Sequence, residues 1–197
     1  MVDVKLFLGD CLEILPTLEA GSVDAVITSP PYDNLRDYGN NWSFDFQSTA
    51  QELTRVLCSG GVIVWIVADE TTNGSESGTS FRQALYFHDE CHLNIHDTMI
   101  WHKQKPPLTH NRYEQHFDYM FVFSKGAPSM FSPLIVKKEY KDNRTTKHVR
   151  KNKDGSSDIG FVKKTGDKIA GNVWSIPGAS AFREYFDHPA IFPEKLV

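Results

Sequence analysis

The sequence predicts an α/β fold, an open and mostly parallel sheet with helices on both faces. Three observations predict it. Apolar runs that suit strands alternate with segments of helical periodicity along the chain. The run Val62-Ile63-Val64-Trp65-Ile66-Val67 is continuously apolar, as expected of a strand covered on both sides in a parallel sheet. Two polar turns, Gly9-Asp10 and Ser29-Pro30-Pro31-Tyr32, directly follow predicted strands, where open α/β sheets gather their ligands.

Residues 4–8 read as a short strand. Asp10, followed three residues later by Glu13, forms a capping-box pattern for a helix that Pro16 restricts to about one turn. Residues 23–28 read as a buried strand. Ser48 or Thr49 can cap a helix running through Leu57, with Leu53, Val56 and Leu57 on one face and Gly60-Gly61 as its end. Residues 71–80 are a polar, Gly- and Ser-rich loop, and 81–88 read as a helix with Ser80 as N-cap. Two more strands, 95–101 and 117–123, flank a loop containing Pro106-Pro107. Trp65 and Trp101 lie inside apolar runs and are expected in the core.

Composition narrows the function classes. With 197 residues and 40% hydrophobic content, the chain can enclose one sizeable core. It has no apolar run near the ~18 residues of a membrane span, and no charged-then-apolar start. Three cysteines at wide spacings argue against a disulfide framework and suit a reducing cytoplasm, the expected location. None follows a proline, which disfavours the covalent cysteine mechanism of methylation at cytosine carbon. No Gly-x-Ser-x-Gly or phosphate-loop pattern supports a hydrolase or a nucleoside triphosphatase. His88, His92 and His96 recur every four residues, but the pattern turns toward a strand at Leu93-Asn94-Ile95, and no metal is expected.

The segment Ser29-Pro30-Pro31-Tyr32 carries the most chemistry. Two prolines stop both sheet pairing and helix formation, so the chain leaves the strand rigidly extended. Without amide donors at 30 and 31, the segment offers carbonyl oxygens, the Ser29 hydroxyl and the Tyr32 ring. Such an acceptor-rich cup suits an exocyclic amino group on a planar base, with the ring stacking on the base.

This motif at a strand end resembles the catalytic motif of S-adenosylmethionine-dependent amino-methyltransferases. With Leu8-Gly9-Asp10-Cys11-Leu12-Glu13 upstream and Ser59-Gly60-Gly61 before the 62–67 run, the chain resembles the site-specific DNA amino-methyltransferases of prokaryotes and phages, in their permuted β group. The resemblance implies a Rossmann-like methyltransferase sheet, S-adenosylmethionine as cofactor, double-stranded DNA as partner and a restriction endonuclease in the same system. It makes Ser29, Pro30, Pro31 and Tyr32 the catalytic residues, and Asp10 a contact to the adenosyl part of the cofactor beside its capping role. The polar run after Tyr32 offers Asn34 and Arg36 to phosphate or to the flipped nucleotide, with Tyr38 and Trp42 as stacking surfaces. Serine in the first motif position leans toward cytosine N4, where aspartate leans toward adenine N6.

Charge is unevenly placed. The chain carries −4 overall, yet residues 137–168 hold eleven Lys or Arg against five acids, a net of +6 that leaves −10 on the remainder. Such a segment reads as a phosphate-contacting element through Lys137, Lys138, Arg144, Lys147, Arg150 and Lys151, or else as a solvated loop. It falls where the resembling family has its variable target-recognition region. The expected division is a catalytic part over 1–133, a basic recognition insert over 134–172 and the start of the cofactor-binding part over 173–197. Asn172-Val173-Trp174-Ser175-Ile176-Pro177, with His188-Pro189 and the residues to Leu196, resembles the stretch before the family's Phe-x-Gly-x-Gly cofactor loop. That loop is not among the 197 residues, so the sheet is expected to be incomplete at its C-terminal end, with a further segment or second chain supplying the clamp. Two alternatives stay open: a catalytically silent fragment that binds DNA, and an amino-methyltransferase acting on RNA or protein.

Overall fold

A strand needs partners on its edges, and the apolar run at 62–67 has both of them. A computed structural model describes residues 3–32, 43–103, 113–137, 145–163, 167–178, 193 and 196. The helices are α1 (Cys11–Ile14), α2 (Phe46–Val56) and α3 (Thr79–Asp89), with a 3-10 turn at Leu15–Thr17. The strands are β1 (Val23–Thr28), β2 (Leu57–Val67), β3 (Thr71–Thr72), β4 (Ser75–Glu76), β5 (Asn94–His102), β6 (Phe117–Ser124), β7 (Ile135–Val136), β8 (Thr145–Lys151), β9 (Ser157–Lys163), β10 (Lys168–Ile169) and β11 (Val173–Ser175). The chain divides into two compact units, Met1–Met130 with Asn172–Val197, and Phe131–Gly171.

The first unit holds a five-stranded sheet in the order β1-β2-β6-β5-β11. β1 pairs with β2 in parallel, β6 lies antiparallel to both β2 and β5, and β11 runs parallel to β5. Four strands therefore point one way and β6 alone is reversed, giving the open, mostly parallel α/β sheet the sequence predicts. Alternation along β2 sends Ile63, Trp65 and Val67 to one face and Val64 and Ile66 to the other. On the first face, Ala50 and Leu53 of α2 and Ala84 and Phe87 of α3 pack with Trp65, Phe121 and Phe123. Against the second, Leu196, Trp174 and Ile176 meet Ile66, Trp101 and Met120. Trp65 and Trp101 are both core residues, their indole N–H groups donating to Gln83 Oε1 at 2.9 Å and to the Ile176 carbonyl at 2.8 Å.

The elements differ from expectation where a partner or a better cap decides. Residues 4–8 form no strand: they have no ladder among the described residues, and Leu6 is 93% exposed. β1 forms as expected but none of its residues is buried, and among the described residues β2 is its one strand neighbour. α2 is capped by Asp45 rather than by Ser48 or Thr49. A carboxylate can accept twice here, and it takes the Ser48 amide at 3.1 Å and the Ser48 hydroxyl at 2.6 Å. The helix ends at Val56, before the glycines, and Lys125 closes it by donating to the Thr54 and Leu57 carbonyls at 2.9 and 2.8 Å.

Gly60-Gly61 instead lies inside β2, in a bulge where Val23 pairs with Leu57 but Ala25 pairs with Val62. Gly60 takes φ +80, and a Cβ on Gly61 would stand 3.0 Å from the Asp24 carbonyl oxygen, so only glycine fits both positions without a shift. The 71–80 loop contains the β3–β4 hairpin, and α3 begins at Thr79 with Gly78 as N-cap. Ser80 sits in its first turn, its amide donating to Asp69 Oδ1 at 2.9 Å. α3 ends at Asp89 and His92 takes φ 56, so His88, His92 and His96 do not share a helix face.

In the second unit, β8 and β9 form an antiparallel ribbon, and β7 pairs with β10. The ribbon turn is held by Asp154, whose Oδ1 accepts from the Ser156 amide at 2.9 Å and the Ser156 hydroxyl at 2.6 Å.

Two outcomes test these contacts. Phe87→Ala empties a position that is 0% exposed and should cost about 3–5 kcal/mol in urea unfolding. The Ser48 hydrogen bonds hold the Asp45 carboxyl below its ordinary value. The stabilisation is therefore complete above the ordinary carboxylate range and is lost as pH falls through the lowered value. The difference in melting temperature between the wild type and Asp45→Ala should accordingly shrink from pH 7 to strongly acid solution.

Candidate active site

The sheet brings several strand ends to one edge. β1, β2 and β5 finish there and the reversed β6 begins there, with Thr28 opposite Trp65, Val67 opposite Tyr119, and Trp101 opposite Asp118. Ser29-Pro30-Pro31-Tyr32 leaves β1 at this edge, with Pro30 buried and the other three half-buried. Since the prolines cannot continue the ladder, the segment is held by side chains instead. Ser29 Oγ donates to the Tyr32 hydroxyl oxygen at 3.1 Å, and that hydroxyl donates to Asp118 Oδ2 at 3.2 Å. The Tyr32 ring packs against the core cluster on the first face of the sheet, the one that contains Trp65.

Asp118 is 1% exposed, the second residue of a strand that otherwise reads Phe-Tyr-Met-Phe-Val-Phe-Ser. A carboxylate there requires a counter-charge. Lys103, the residue after β5, supplies it by donating to Asp118 Oδ2, and its ammonium lies 4.5 Å from the centroid of the Trp101 ring. Asp118 Oδ1 has no hydrogen-bond partner among the described residues. Neither residue was foreseen from the sequence, although one acid inside so apolar a strand was the available signal. At the same edge, Asp69 follows β2 and is occupied by α3, accepting from Ser77 and Ser80. Burial, with Asp69 and Glu76 nearby, pushes the Tyr119 phenol up.

Asp10 is the N-cap of α1, its Oδ1 accepting from the Leu12 amide at 2.8 Å, and its side chain is exposed. Capping is thus part of its role. The thiols of Cys58 and Cys91 are pushed up, by burial in both cases and additionally by Asp24 beside Cys58, away from the thiolate a cysteine nucleophile needs.

Of the expected DNA contacts, Lys147, Arg150 and Lys151 lie exposed on β8, and Lys137 is exposed just after β7. Asn34, Arg36, Lys138 and Arg144 lie outside the described residues, as do Tyr38 and Trp42. Register places Lys147, Val149 and Lys151 on the same ribbon face as Phe161, Ile159 and Ser157, and Arg150 on the other face with Asp158. That first face is both cationic and apolar, with Phe161 70% exposed.

Residues 23–197 match the model of a family described as DNA methylase. The chain is 43% identical to the orphan methyltransferase M.BamHII of Bacillus amyloliquefaciens over 206 aligned positions, covering 98% of this chain and 72% of that one. It is 22% identical to the type II methyltransferase M.BglII of Bacillus subtilis, covering 98% and 54%. Among solved structures it is similar to the cytosine-N4-specific PvuII DNA methyltransferase, with a TM-score of 0.62 at 18% identity over 96% of this chain and 66% of that one. The chain thus spans between half and three-quarters of the length of these relatives.

Removing the counter-charge should be costly. Lys103→Met leaves Asp118 buried and uncompensated, an expected loss of ~3 kcal/mol or more, whereas adding Asp118→Leu to it should recover part of that loss. Urea unfolding of the two variants beside the wild type gives the ordering.

Proposed function

The chain belongs to the DNA methylase family, and from that premise we propose that it holds the catalytic part of an S-adenosylmethionine-dependent enzyme that methylates an exocyclic amino nitrogen of a base flipped out of duplex DNA, cytosine N4 in preference to adenine N6. The observation that carries this reading is the cup itself. A Ser-Pro-Pro-Tyr segment leaves a strand end with no amide donors at its prolines and with Ser29 and Tyr32 tied together.

The residues act by placement. The Ser29 and Pro30 carbonyls and the Ser29 Oγ accept the hydrogens of the amino group, which turns its nitrogen lone pair toward the donor. Tyr32 stacks on the base. S-adenosylmethionine supplies a methyl group on a positively charged sulfur. As the nitrogen–methyl bond forms and the methyl–sulfur bond breaks, leaving a neutral thioether, the surrounding oxygens stabilise the positive charge developing on the amino nitrogen. One amino proton passes to water, and no covalent link to the protein is required. The exposed carboxylate of Asp10, which follows Gly9 before α1, suits the hydroxyl groups of the adenosyl moiety as an acceptor. The glycine-rich loop that would clamp the rest of the donor comes from a further segment or a second polypeptide, a reading supported by the 72% coverage of M.BamHII.

DNA is held by the second unit. The β8–β9 ribbon has the size of a two-stranded element that enters a major groove, and Lys137, Lys147, Arg150 and Lys151 meet phosphate. Lys138 and Arg144, with Asn34 and Arg36 near the flipped nucleotide, complete the contact set. The Ser29 position favours cytosine, and the likeness to the type II methyltransferase M.BglII supports a restriction endonuclease in the same system as a partner, whereas M.BamHII is an orphan methyltransferase.

Mass analysis of nucleosides from duplex DNA incubated with the protein and S-adenosylmethionine should reveal N4-methylcytosine. Methylation confined to cytosine carbon 5 would overturn the mechanism. Tyr32→Ala should lower methyl transfer by at least about 100-fold with an unchanged circular dichroism spectrum. Replacing Lys147 and Lys151 together by Ala should weaken DNA binding and reduce the steepness of its salt dependence by about two phosphate contacts, measured by fluorescence anisotropy over a salt series.

A further inference from the structure

We propose that Asp118 is a positioning residue that sets the direction of the hydrogen-bond chain ending at Ser29, so that the Ser29 hydroxyl faces the substrate as an acceptor. An ionised carboxylate can only accept. With Lys103 balancing its charge, Asp118 Oδ2 must take its second hydrogen bond from the Tyr32 hydroxyl. Having spent its proton inward, the phenol oxygen receives one from Ser29, 3.1 Å away. Ser29 has a single hydroxyl proton, so its Oγ is left with lone pairs alone to present outward. A buried acid two hydrogen bonds away thus determines whether the cup accepts or donates.

The burial of Asp118 makes this direction robust. At 1% exposure, with its other oxygen lacking a partner among the described residues, the carboxylate has no solvent with which to exchange the Tyr32 bond. Tyr32 then has two separable functions, a ring that stacks and a hydroxyl that relays orientation. The strand order explains why a residue 86 positions away can do this: only because β6 is reversed do its first residues stand at the edge where β1 ends.

This inference rests on the proposed amino-methyl transfer, and the test separates the two. The full chain is labelled with carbon-13 at the tyrosine ring, and the Tyr32 signal is identified by its loss in Tyr32→Phe. Asp118→Asn should move or broaden that signal, whereas Asp97→Asn, exposed on β5, should leave it in place. An unmoved Tyr32 signal in a folded Asp118→Asn protein overturns the proposal. In methylation assays, Tyr32→Phe and Asp118→Asn should each lower kcat by about 10-fold or more with KM for DNA changed by less than about 3-fold, and the double variant should be no slower than the slower single one. Losses that multiply refute the orienting role, and a Tyr32→Phe protein with wild-type kcat refutes it even if Asp118→Asn does not fold. Failure of the wild type to methylate any amino group strikes at the proposed function instead, and the tyrosine spectrum still decides the role of Asp118.

Discussion

A carboxylate cannot enter an apolar sheet without partners, and the placement of Asp118 organises the edge on which the candidate site stands. Its two partners arrive from different strands, Lys103 from the end of β5 and Tyr32 from the turn after β1. Sheet order puts β2 between β1 and β6, so the Tyr32 contact reaches over the end of β2. Three separate pieces of sequence, 29–32, 103 and 118, become one network because four strands point one way and β6 runs against them.

The cup depends on that network more than on its own backbone. Prolines make the segment stiff, but stiffness alone does not say where the Tyr32 ring or the Ser29 proton points. Packing against the core cluster on the first face of the sheet holds the ring, and the chain of donors toward Asp118 holds the hydroxyls. The same edge carries Asp69, yet its oxygens are taken by Ser77 and Ser80 at the start of α3. Two acids at one edge thus have different work, one capping a helix and one anchoring the proposed catalytic tyrosine.

Exposed apolar residues occur in both units. The 4–8 segment and β1 are strongly apolar in sequence and poorly covered, as an unpaired segment and an edge strand are. The ribbon of the second unit is different, since its exposed Val149, Ile159 and Phe161 stand among lysines. Mixed cationic and apolar faces suit a polyanion whose bases also offer apolar contact.

By itself the sequence determined the α/β class, the central strand, the two core tryptophans and the acceptor-rich turn at 29–32, because each follows from local rules: periodicity, proline chemistry and the run length of apolar residues. Asp10 was legible as a cap for the same reason. Local rules misplaced the α2 cap, where the adjacent Asp45 out-competed two hydroxyl residues, and misread Gly60-Gly61 as a helix end when it is a bulge packed against Asp24 and Ser129. They also made a strand of residues 4–8, which only a pairing partner could have formed. Asp118 showed in the sequence only as one acid in an apolar strand, and its pairing with Lys103 was not legible because an ion pair between strands is a property of register and direction, decided only when the reversed β6 is inserted between β2 and β5.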